Sequence, residues 1–360
     1  MLKKILSDLV KFKTLSIDHD ENRRALNWVK KQLQGLPVFF KDYKINNFPA
    51  LVVTTKKTFN PKLLLQGHMD VVDGSASVFI PKEKNGKLYG RGVFDMKYAT
   101  ACYIKLFQDL GKDLTKFDLG IMLTTDEEIG GNNGVEALLK KKYKPKLCFL
   151  PDGGDSWKMQ RSAKGVYQVK LIAKGISGHG SRPWTGVNAL QEILSFVSEL
   201  QKHFVDEPCG INNHNQDTLT VSRISGGKII NQIPDYAEAE LDIRFIPKTG
   251  LKGIRKKVSE TLNRYKNVSL VELSHSNAYE VNFNEPSIKL FISMLKKRGF
   301  KFDMVDSHGS CDARYFLDRK IPTVILRPVG GGHHTPEEWI DLNELEKFYE
   351  LLKEFALKVA

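Results

Sequence analysis

Apolar residues recur at helical spacing in some segments of the chain and form short continuous runs in others. The helical spacing predicts amphipathic helices, and the β-branched runs are typical of strands buried in a parallel or mixed sheet. Helices and strands alternate through residues 1–165 and again through 283–360, which predicts one α/β domain built from both stretches. Asp20 is the expected cap of the second helix. The helices are predicted at 1–13, 21–34, 97–110, 134–142, 286–298 and 342–357, and the strands at 50–54, 63–66, 119–125, 147–150 and 323–326.

The pattern changes between residues 166 and 282, where strands alternate apolar and polar positions as half-buried strands do. The predicted order is strand, helix, strand, strand, helix, strand, which is the order of the ferredoxin-like unit. The sequence therefore predicts an α+β domain of residues 166–282 inserted into the α/β domain. Its strands are predicted at 167–173, 219–224, 237–245 and 268–273, and its helices at 187–204 and 251–265.

Composition narrows the class of protein. The chain has 360 residues, 41% hydrophobic and 27% charged, which indicates a folded globular protein rather than a disordered one. No apolar run reaches the ~20 residues that cross a bilayer, and the N-terminus lacks the apolar core of a signal peptide. The cysteines are widely spaced without a CxxC pair, which fits a reducing cytoplasm and argues against thiolate metal sites. They are Cys102, Cys148, Cys209 and Cys311.

The formal net charge is +13, from 55 lysines and arginines against 42 acidic residues, and it raises the question of a polyanionic partner. The sequence contains no zinc finger, basic-aromatic motif or glycine-lysine phosphate loop, and most of the basic excess lies outside residues 166–282. We therefore expect no nucleic-acid partner. We interpret the charge as a lysine-rich surface that attracts small carboxylate substrates.

Five short segments concentrate histidines and carboxylates, and each lies where a predicted strand ends. Each segment alone has an ordinary explanation: a hydrogen-bonded turn, a helix N-cap, a solvated acidic turn or a glycine loop. In open α/β sheets, however, ligands bind at this carboxyl edge. Two histidines with three or four carboxylates suit zinc or a neighbouring divalent ion. The segments carry His68 and Asp70; Asp95; Asp126, Glu127 and Glu128; Asp152; and His333 and His334.

Spacing within two segments adds detail. His68 and Asp70 are two residues apart on one strand face, and a metal-binding imidazole usually donates its other N–H to a carboxylate. Glu127 and Glu128 are adjacent, so alternation sends them in different directions. One of them can bind metal while the other stays free as a base.

Eight motifs, in order, resemble those of one enzyme family: GHMDVV, GRGVFDMK, TTDEEIGG, PDGG, KGISGHGSRP, NQIPDYAEAELDIR, GSCDARYF and HHTPEEW. The family is that of the dinuclear zinc amidohydrolases and peptidases, which includes aminoacylase, acetylornithine deacetylase, succinyl-diaminopimelate desuccinylase, carboxypeptidase G and the cytosolic dipeptidases. The resemblance implies a zinc-exopeptidase-like α/β domain with a mixed, mostly parallel sheet sandwiched by helices. It makes residues 1–165 and 283–360 the metal-binding domain and residues 166–282 a lid, through which family members commonly dimerise, so a homodimer is expected.

The resemblance also implies roles for the site residues. Two Zn²⁺ ions per subunit are expected, with Co²⁺ or Mn²⁺ as alternatives, and Asp95 would bridge them. Glu127 would be the general base, and Asp70 would orient His68. The bond after Asp95 is expected to be cis. The remaining metal ligands would be His68 and Asp152 at one ion and Glu128 and His334 at the other.

Two of these choices have rivals nearby. His334 is preferred over His333 because the family's histidine stands four residues before a glutamate, here Glu338. Asp152 is preferred over Asp155 because it is nearer the strand end.

Lid and pocket residues follow from the same resemblance. His179 corresponds to the histidine that stabilises the tetrahedral oxyanion, often from the partner subunit. Asn231 and Arg244 match residues that contact the substrate, and the planar fork of an arginine suits a carboxylate. Residues 310–314 would line the substrate pocket, and Ser310 and Arg314 would contact the substrate. Asp312 and Arg314 could equally form a structural ion pair.

The expected reaction is hydrolysis of an amide or peptide bond in a small N-acyl amino acid or peptide with a free carboxylate. An aspartate at position 152 is similar to the ligand of the dipeptidases and aminopeptidases, whereas GSCDARYF and the segment from RPV to HH resemble the desuccinylases and deacetylases. A dipeptidase-, aminopeptidase- or carboxypeptidase-like exopeptidase is therefore the alternative. A catalytically inactive peptide-binding protein does not fit the complete ligand set. A serine hydrolase lacks its G-x-S-x-G elbow.

Overall fold

The structure is a computed structural model that describes residues 1–204 and 216–360. The chain divides into two units, one of Met1–Arg161, Val281–Val305 and Cys311–Ala360 and the other of Ser162–Glu280 and Asp306–Ser310. The sequence pattern places the first boundary four residues later and the second two residues later. It also assigns residues 306–310 to the α/β domain. Cys209 lies outside the described residues.

The secondary structure follows the hydrophobic pattern closely. Within the described residues the helices are α1 (Leu2–Val10), α2 (His19–Gln32), α3 (Lys97–Leu110), α4 (Val135–Lys140), α5 (Ala189–Gln201), α6 (Gly250–Leu262), α7 (Pro286–Lys297), α8 (Ala313–Leu317) and α9 (Leu342–Val359). The strands are β1 (Phe39–Ile45), β2 (Phe48–Thr54), β3 (Leu63–His68), β4 (Lys82–Lys84), β5 (Lys87–Tyr89), β6 (Leu119–Thr124), β7 (Leu147–Phe149), β8 (Met159–Ala163), β9 (Gly165–Lys174), β10 (Thr218–Gly226), β11 (Tyr236–Phe245), β12 (Val268–Ser276), β13 (Tyr279–Glu280), β14 (Met304–Ser307), β15 (Thr323–Val324), β16 (Gly330–Gly331) and β17 (Trp339–Asp341).

Six strands form the central sheet of the first unit, in the order β1-β2-β6-β3-β7-β15. The pairs β6–β3, β3–β7 and β7–β15 are parallel, and β1–β2 and β2–β6 are antiparallel. The prediction of a mixed, mostly parallel sheet is confirmed. The sequence pattern does not predict β1, because this edge strand has only exposed and half-buried positions.

Both faces of the central sheet are covered at its inner strands β3, β6 and β7, because successive strand residues point to opposite faces and all residues of these three strands are buried. Leu63 and Leu65 of β3 belong to one large apolar cluster with side chains of α1, α3, α7 and α9. Leu64, on the opposite face, is equally buried. This burial explains the continuous apolar runs in the sequence.

The second unit has the predicted ferredoxin-like order β9-α5-β10-β11-α6-β12. Its sheet has the order β10-β11-β9-β12, and all its neighbouring strands are antiparallel. The alternating side chains Val169, Leu171 and Leu241 form the apolar core of this unit with Phe196 of α5 and Ile254 of α6.

Some local details also differ from the sequence prediction. The cap of α2 is Asp18, whose carboxylate accepts a hydrogen bond from the Glu21 N–H at 3.0 Å. The choice of Asp20 is wrong, because α2 begins at His19 and Asp20 lies inside its first turn. The four-stranded sheet β16-β17-β5-β4 is also unpredicted, because strands of two or three residues leave no pattern. Over the residues that the structure describes, no helix has both the length and the hydrophobicity to cross a membrane.

Candidate metal centre

Three neighbouring parallel strands end at one edge of the central sheet, and predicted ligands lie at each end. His68 is the last residue of β3 and pairs in register with Thr124, the last residue of β6. Glu127 and Glu128 follow β6 in a short 3-10 helix. Asp152 comes shortly after β7. The parallel register thus brings residues that are far apart in sequence to the same edge.

Among the described residues, histidine and carboxylate side chains form two groups able to hold a metal ion. Within each group, the potential ligand atoms lie within 4.8 Å of one another. All six residues are among those that the sequence singles out. They are His68, Glu127 and Asp152 in one group and Asp95, Glu128 and His334 in the other.

Asp95 faces an imidazole from each group. Its Oδ1 is 3.3 Å from Nε2 of His68, and its Oδ2 is 3.0 Å from Nε2 of His334. The same His334 nitrogen is 3.2 Å from Oε2 of Glu128. One carboxylate with an oxygen toward each group has the arrangement that a shared ligand of two ions requires.

The hydrogen bonding of His68 shows independently that the site suits a divalent ion. His68 Nδ1 lies 2.9 Å from the backbone oxygen of Asp70, to which it must donate, so the neutral imidazole carries its lone pair on Nε2. That buried Nε2 has no hydrogen-bond partner among the described residues. A buried acceptor nitrogen facing carboxylates is a normal metal ligand, and imidazole with carboxylate oxygens suits zinc and its neighbours.

The carboxylates of the two groups lie so close together that bound cations would stabilise them. Burial raises the pKa of Glu127 well above its ordinary value, and nearby Asp152 adds to this. Burial, reinforced by Asp95, raises the pKa of Asp152 to about 6. The pKa of Asp95 is lowered although burial opposes this, because the imidazoles of His334 and His68 lie against its carboxylate. Carboxylates packed together in this way need protons or metal ions to balance them.

Both rival ligands lie outside the two groups. His333 contacts the ring of Phe94, with centroids 6.3 Å apart. The Asp155 carboxylate accepts a hydrogen bond from Nε of the buried Arg327 at 2.5 Å. The peptide bond between Asp95 and Met96 is cis, as predicted.

Asp70 makes different contacts from those expected. Its backbone oxygen, not its carboxylate, is the nearer acceptor for His68 Nδ1, because Oδ1 is 3.5 Å from that nitrogen. The carboxylate instead accepts hydrogen bonds from the hydroxyl of Ser16 and from the backbone N–H groups of Glu127 and Glu128. Asp70 therefore holds the histidine and the acidic turn together.

Two further polar residues support the loop after Glu128. Asp126 turns away from the metal groups and accepts hydrogen bonds from the backbone N–H groups of Asn133 and Gly134. Burial raises its pKa to about 6. The buried Arg314 donates to the backbone oxygens of Cys311 and Gly130. These contacts favour loop support over substrate contact for Arg314.

The other predicted site residues belong to the second unit. His179 is exposed, and its Nδ1 accepts a hydrogen bond from the Ser181 N–H at 3.1 Å, which leaves Nε2 as the N–H donor. Asn231 is exposed, and its backbone oxygen accepts from the Gly180 N–H at 2.7 Å. Arg244 donates through Nε and Nη2 to both oxygens of Asp242. The half-buried Ser310 closes the segment Asp306–Ser310.

Sequence reasoning missed the residues that support the site from distant parts of the chain. Ser16 carries no motif signal, and its contact with Asp70, like the contact of Arg327 with Asp155, depends on the fold. Glu338 has a signal, since it closes HHTPEEW, but it serves there only to choose between the two histidines. In the structure it binds the loop that carries Asp95.

Comparison with known proteins gives one family match and several relatives. The family model described as peptidase family M20/M25/M40 matches residues 64–358. Succinyl-diaminopimelate desuccinylase of Rickettsia felis is 28% identical over 383 residues, covering 98% of each chain. The protein of the same name from Rickettsia bellii is 25% identical over 384 residues, covering 98% of this chain and 95% of its own.

Solved structures share the fold at lower identity. The aminopeptidase PepT from Bacillus cereus has a TM-score of 0.78 and 19% identity, covering 99% of this chain and 98% of its own. The metallo-carboxypeptidase Sso-CP2 from Sulfolobus solfataricus has the same TM-score, 17% identity and the same coverage. Human carnosine dipeptidase 1 has a TM-score of 0.70 and 16% identity, covering 99% and 96%.

Proposed function

This chain belongs to peptidase family M20/M25/M40, and from that premise we propose that it hydrolyses the amide bond of small N-acyl amino acids with a free carboxylate. Membership makes it a hydrolase of amide bonds. The observation that carries the proposal is the position of Asp95, with one oxygen toward His68 and the other toward His334. The desuccinylase relatives favour an N-acyl amino acid as the substrate.

We assign two Zn²⁺ ions to the site, with Co²⁺ or Mn²⁺ as alternatives. Asp95 would be shared. A pair of divalent ions, when bound, polarises a carbonyl and lowers the pKa of water. The other ligands would be His68 and Asp152 at one ion and Glu128 and His334 at the second.

Glu127 is the proposed general base. It is half-buried, and its desolvation raises its pKa, which suits a group that takes a proton from water and delivers it to the leaving amine. Its neighbour Glu128 belongs to the other ligand group. Adjacent glutamates therefore have separate roles, one in proton transfer and one in ion binding.

Residues of the second unit are assigned to the substrate. His179 has its proton on Nε2, so it can donate a hydrogen bond to the oxyanion of the tetrahedral state. Asp242 holds Nε and Nη2 of Arg244 and leaves Nη1 for a substrate carboxylate. Asn231 and Ser310 would add polar contacts.

We also propose a homodimer formed through the second unit. The edge strand β10 is exposed along most of its length, and it carries the exposed apolar side chains Val221 and Ile224. Leu194 of α5 is exposed as well. An exposed edge strand with apolar side chains is suited to pairing with another chain. The described cysteines are free thiols, which supports our assignment to the cytoplasm.

A substrate screen tests the proposed reaction. The enzyme, loaded with Zn²⁺ or Co²⁺, is offered N-acetyl and N-succinyl amino acids and a panel of dipeptides, with Glu127→Gln as the inactive control. Hydrolysis of N-acyl amino acids well above that of dipeptides is the expected result. Preference for dipeptides would favour the second candidate, an exopeptidase, which the aspartate at Asp152 supports.

A further inference from the structure

The side chain of Glu338 is buried inside the loop that carries Asp95. Glu338 is 1% exposed. Its Oε1 accepts hydrogen bonds from the backbone N–H groups of Phe94 at 2.9 Å and Asp95 at 3.0 Å. Its Oε2 accepts from the Gly92 N–H at 2.9 Å and from Nη1 of Arg91 at 3.1 Å. A single carboxylate therefore receives four donors from five consecutive residues.

The fold fixes Glu338 in this position. The next residue, Trp339, begins β17 and pairs with Tyr89 of β5. The backbone oxygen of Glu338 accepts a hydrogen bond from the Gly90 N–H at 3.1 Å. The loop that carries Asp95 follows β5, and Glu338 directly precedes β17. Because β5 and β17 are paired, the loop and Glu338 start from neighbouring positions. Two short strands that the sequence pattern does not predict bring the carboxylate to the loop.

The loop is tightly packed around its glycine. Gly92 has φ +82°, and a Cβ at that position would lie 2.9 Å from Cδ of Lys97 and 3.0 Å from Cγ1 of Val71. The N–H of Lys97 donates to the Gly92 oxygen at 2.8 Å. The inward-facing N–H groups of this turn therefore need a buried acceptor, and Glu338 supplies it.

We propose that Glu338 is a positioning residue that fixes Asp95 between the two imidazoles and so determines the affinity of the site for both metal ions. Its contact with this ligand runs through the backbone N–H of Asp95 and not through the imidazole of His68 or His334. The inference rests on the proposed function, in which Asp95 is the shared ligand. Because Asp95 faces both groups, displacement of its backbone weakens both ions together.

The test compares Glu338→Gln with a neighbour. The variant keeps the shape of the side chain, but it removes the charge and places an NH₂ group against N–H donors. Glu337→Gln is the matched control, because Glu337 is the exposed adjacent glutamate. Stepwise Zn²⁺ affinities are measured by calorimetry, and Co²⁺ visible absorption is recorded at saturating metal.

We expect Glu338→Gln to weaken both binding steps by about 10- to 100-fold, the usual effect of losing a group that orients a ligand, and to alter the Co²⁺ spectrum. His334→Ala should weaken one step more than the other. A folded Glu338→Gln protein that binds both ions like Glu337→Gln, with an unchanged spectrum, would overturn the inference. Wild-type protein that binds no metal would instead overturn the proposed function.

A second variant covers the case in which Glu338→Gln does not fold. Arg91→Met removes one of the four donors and leaves the three backbone contacts in place. It should lower both metal affinities in the same direction but less strongly. Unchanged affinities in folded Arg91→Met, with Glu338→Gln unfolded, would assign Glu338 to folding alone and reject the positioning role.

Discussion

The backbone N–H of Glu128 donates a hydrogen bond to Oδ2 of Asp70 at 3.1 Å. The adjacent N–H, that of Glu127, donates to Oδ1 at 3.3 Å. The backbone oxygen of the same aspartate accepts from Nδ1 of His68. One residue therefore sets the position of the proposed base, of one ligand from each group and of the turn between them.

Asp70→Asn is expected to lower both kcat and metal affinity by about 10- to 100-fold. The amide retains the shape but has one acceptor fewer for the N–H groups of Glu127 and Glu128. Steady-state kinetics and Zn²⁺ calorimetry measure the two effects. Asp73→Asn is the control, because Asp73 is exposed and pairs with Lys13 on the surface. Equal kinetics in the two variants would contradict the role of Asp70.

Glu127→Gln should keep its metal content and lose turnover by roughly 10²- to 10⁴-fold, since the amide cannot accept a proton. Glu128→Gln should instead lose metal, because Oε2 of Glu128 lies beside His334. Metal analysis after gel filtration, combined with kcat, separates the two outcomes. Near-normal turnover in Glu127→Gln, or equal metal loss in both variants, would reverse the assignment.

Metal binding is expected to release protons. Hydrogen bonds to Asp95, the larger effect, and to Glu128 raise the pKa of His334 to about 10. The metal-free imidazole is therefore protonated at pH 7, whereas a ligand must be neutral. Zn²⁺ affinity should rise as the pH rises from 6 toward 9. Calorimetry in buffers of different ionisation enthalpy counts the released protons, and a pH-independent affinity would contradict this account.

The sequence singles out all the residues of the two groups, because each follows an apolar strand or lies in a family motif. His68 and Asp152 illustrate the first case, and His334 the second. The supporting contacts are harder to predict. Ser16 contacts Asp70, which lies 54 positions away in the chain. Glu338 contacts the loop of Asp95, more than 240 positions away. Only the folded backbone brings such pairs together, because a serine or a glutamate in the sequence does not indicate which distant residue it will contact.

The N-terminus of α2 shows on a local scale that residue type alone does not decide a contact. Asp18 and Asp20 both suit a cap by residue type, and the structure selects Asp18. Asp18→Ala should lower the free energy of unfolding by about 1 kcal/mol. Asp20→Ala should cost less, about 0.5 kcal/mol, because it removes only a surface pair with Arg23 and a favourable first-turn charge. Urea denaturation of the two variants measures the difference, and a larger loss in Asp20→Ala would contradict the assigned cap.

Arg244 is expected to recognise the substrate carboxylate through the N–H groups that Asp242 does not occupy. Arg244→Lys should raise KM by about 10- to 100-fold, the usual cost of a lost hydrogen bond to a charged group, with a smaller change in kcat. The loss should disappear for a substrate whose carboxylate is replaced by a carboxamide.

Arg223→Lys is the matched control for that experiment, because Arg223 lies on β10 and pairs with Glu240 in an exposed ion pair. Its KM should stay near the wild-type value for both substrates. An equal rise in KM of Arg244→Lys with the carboxylate and the carboxamide would mean that the arginine acts on the structure of the second unit. Only a loss confined to the carboxylate substrate identifies a direct contact, since both substrates meet the same protein.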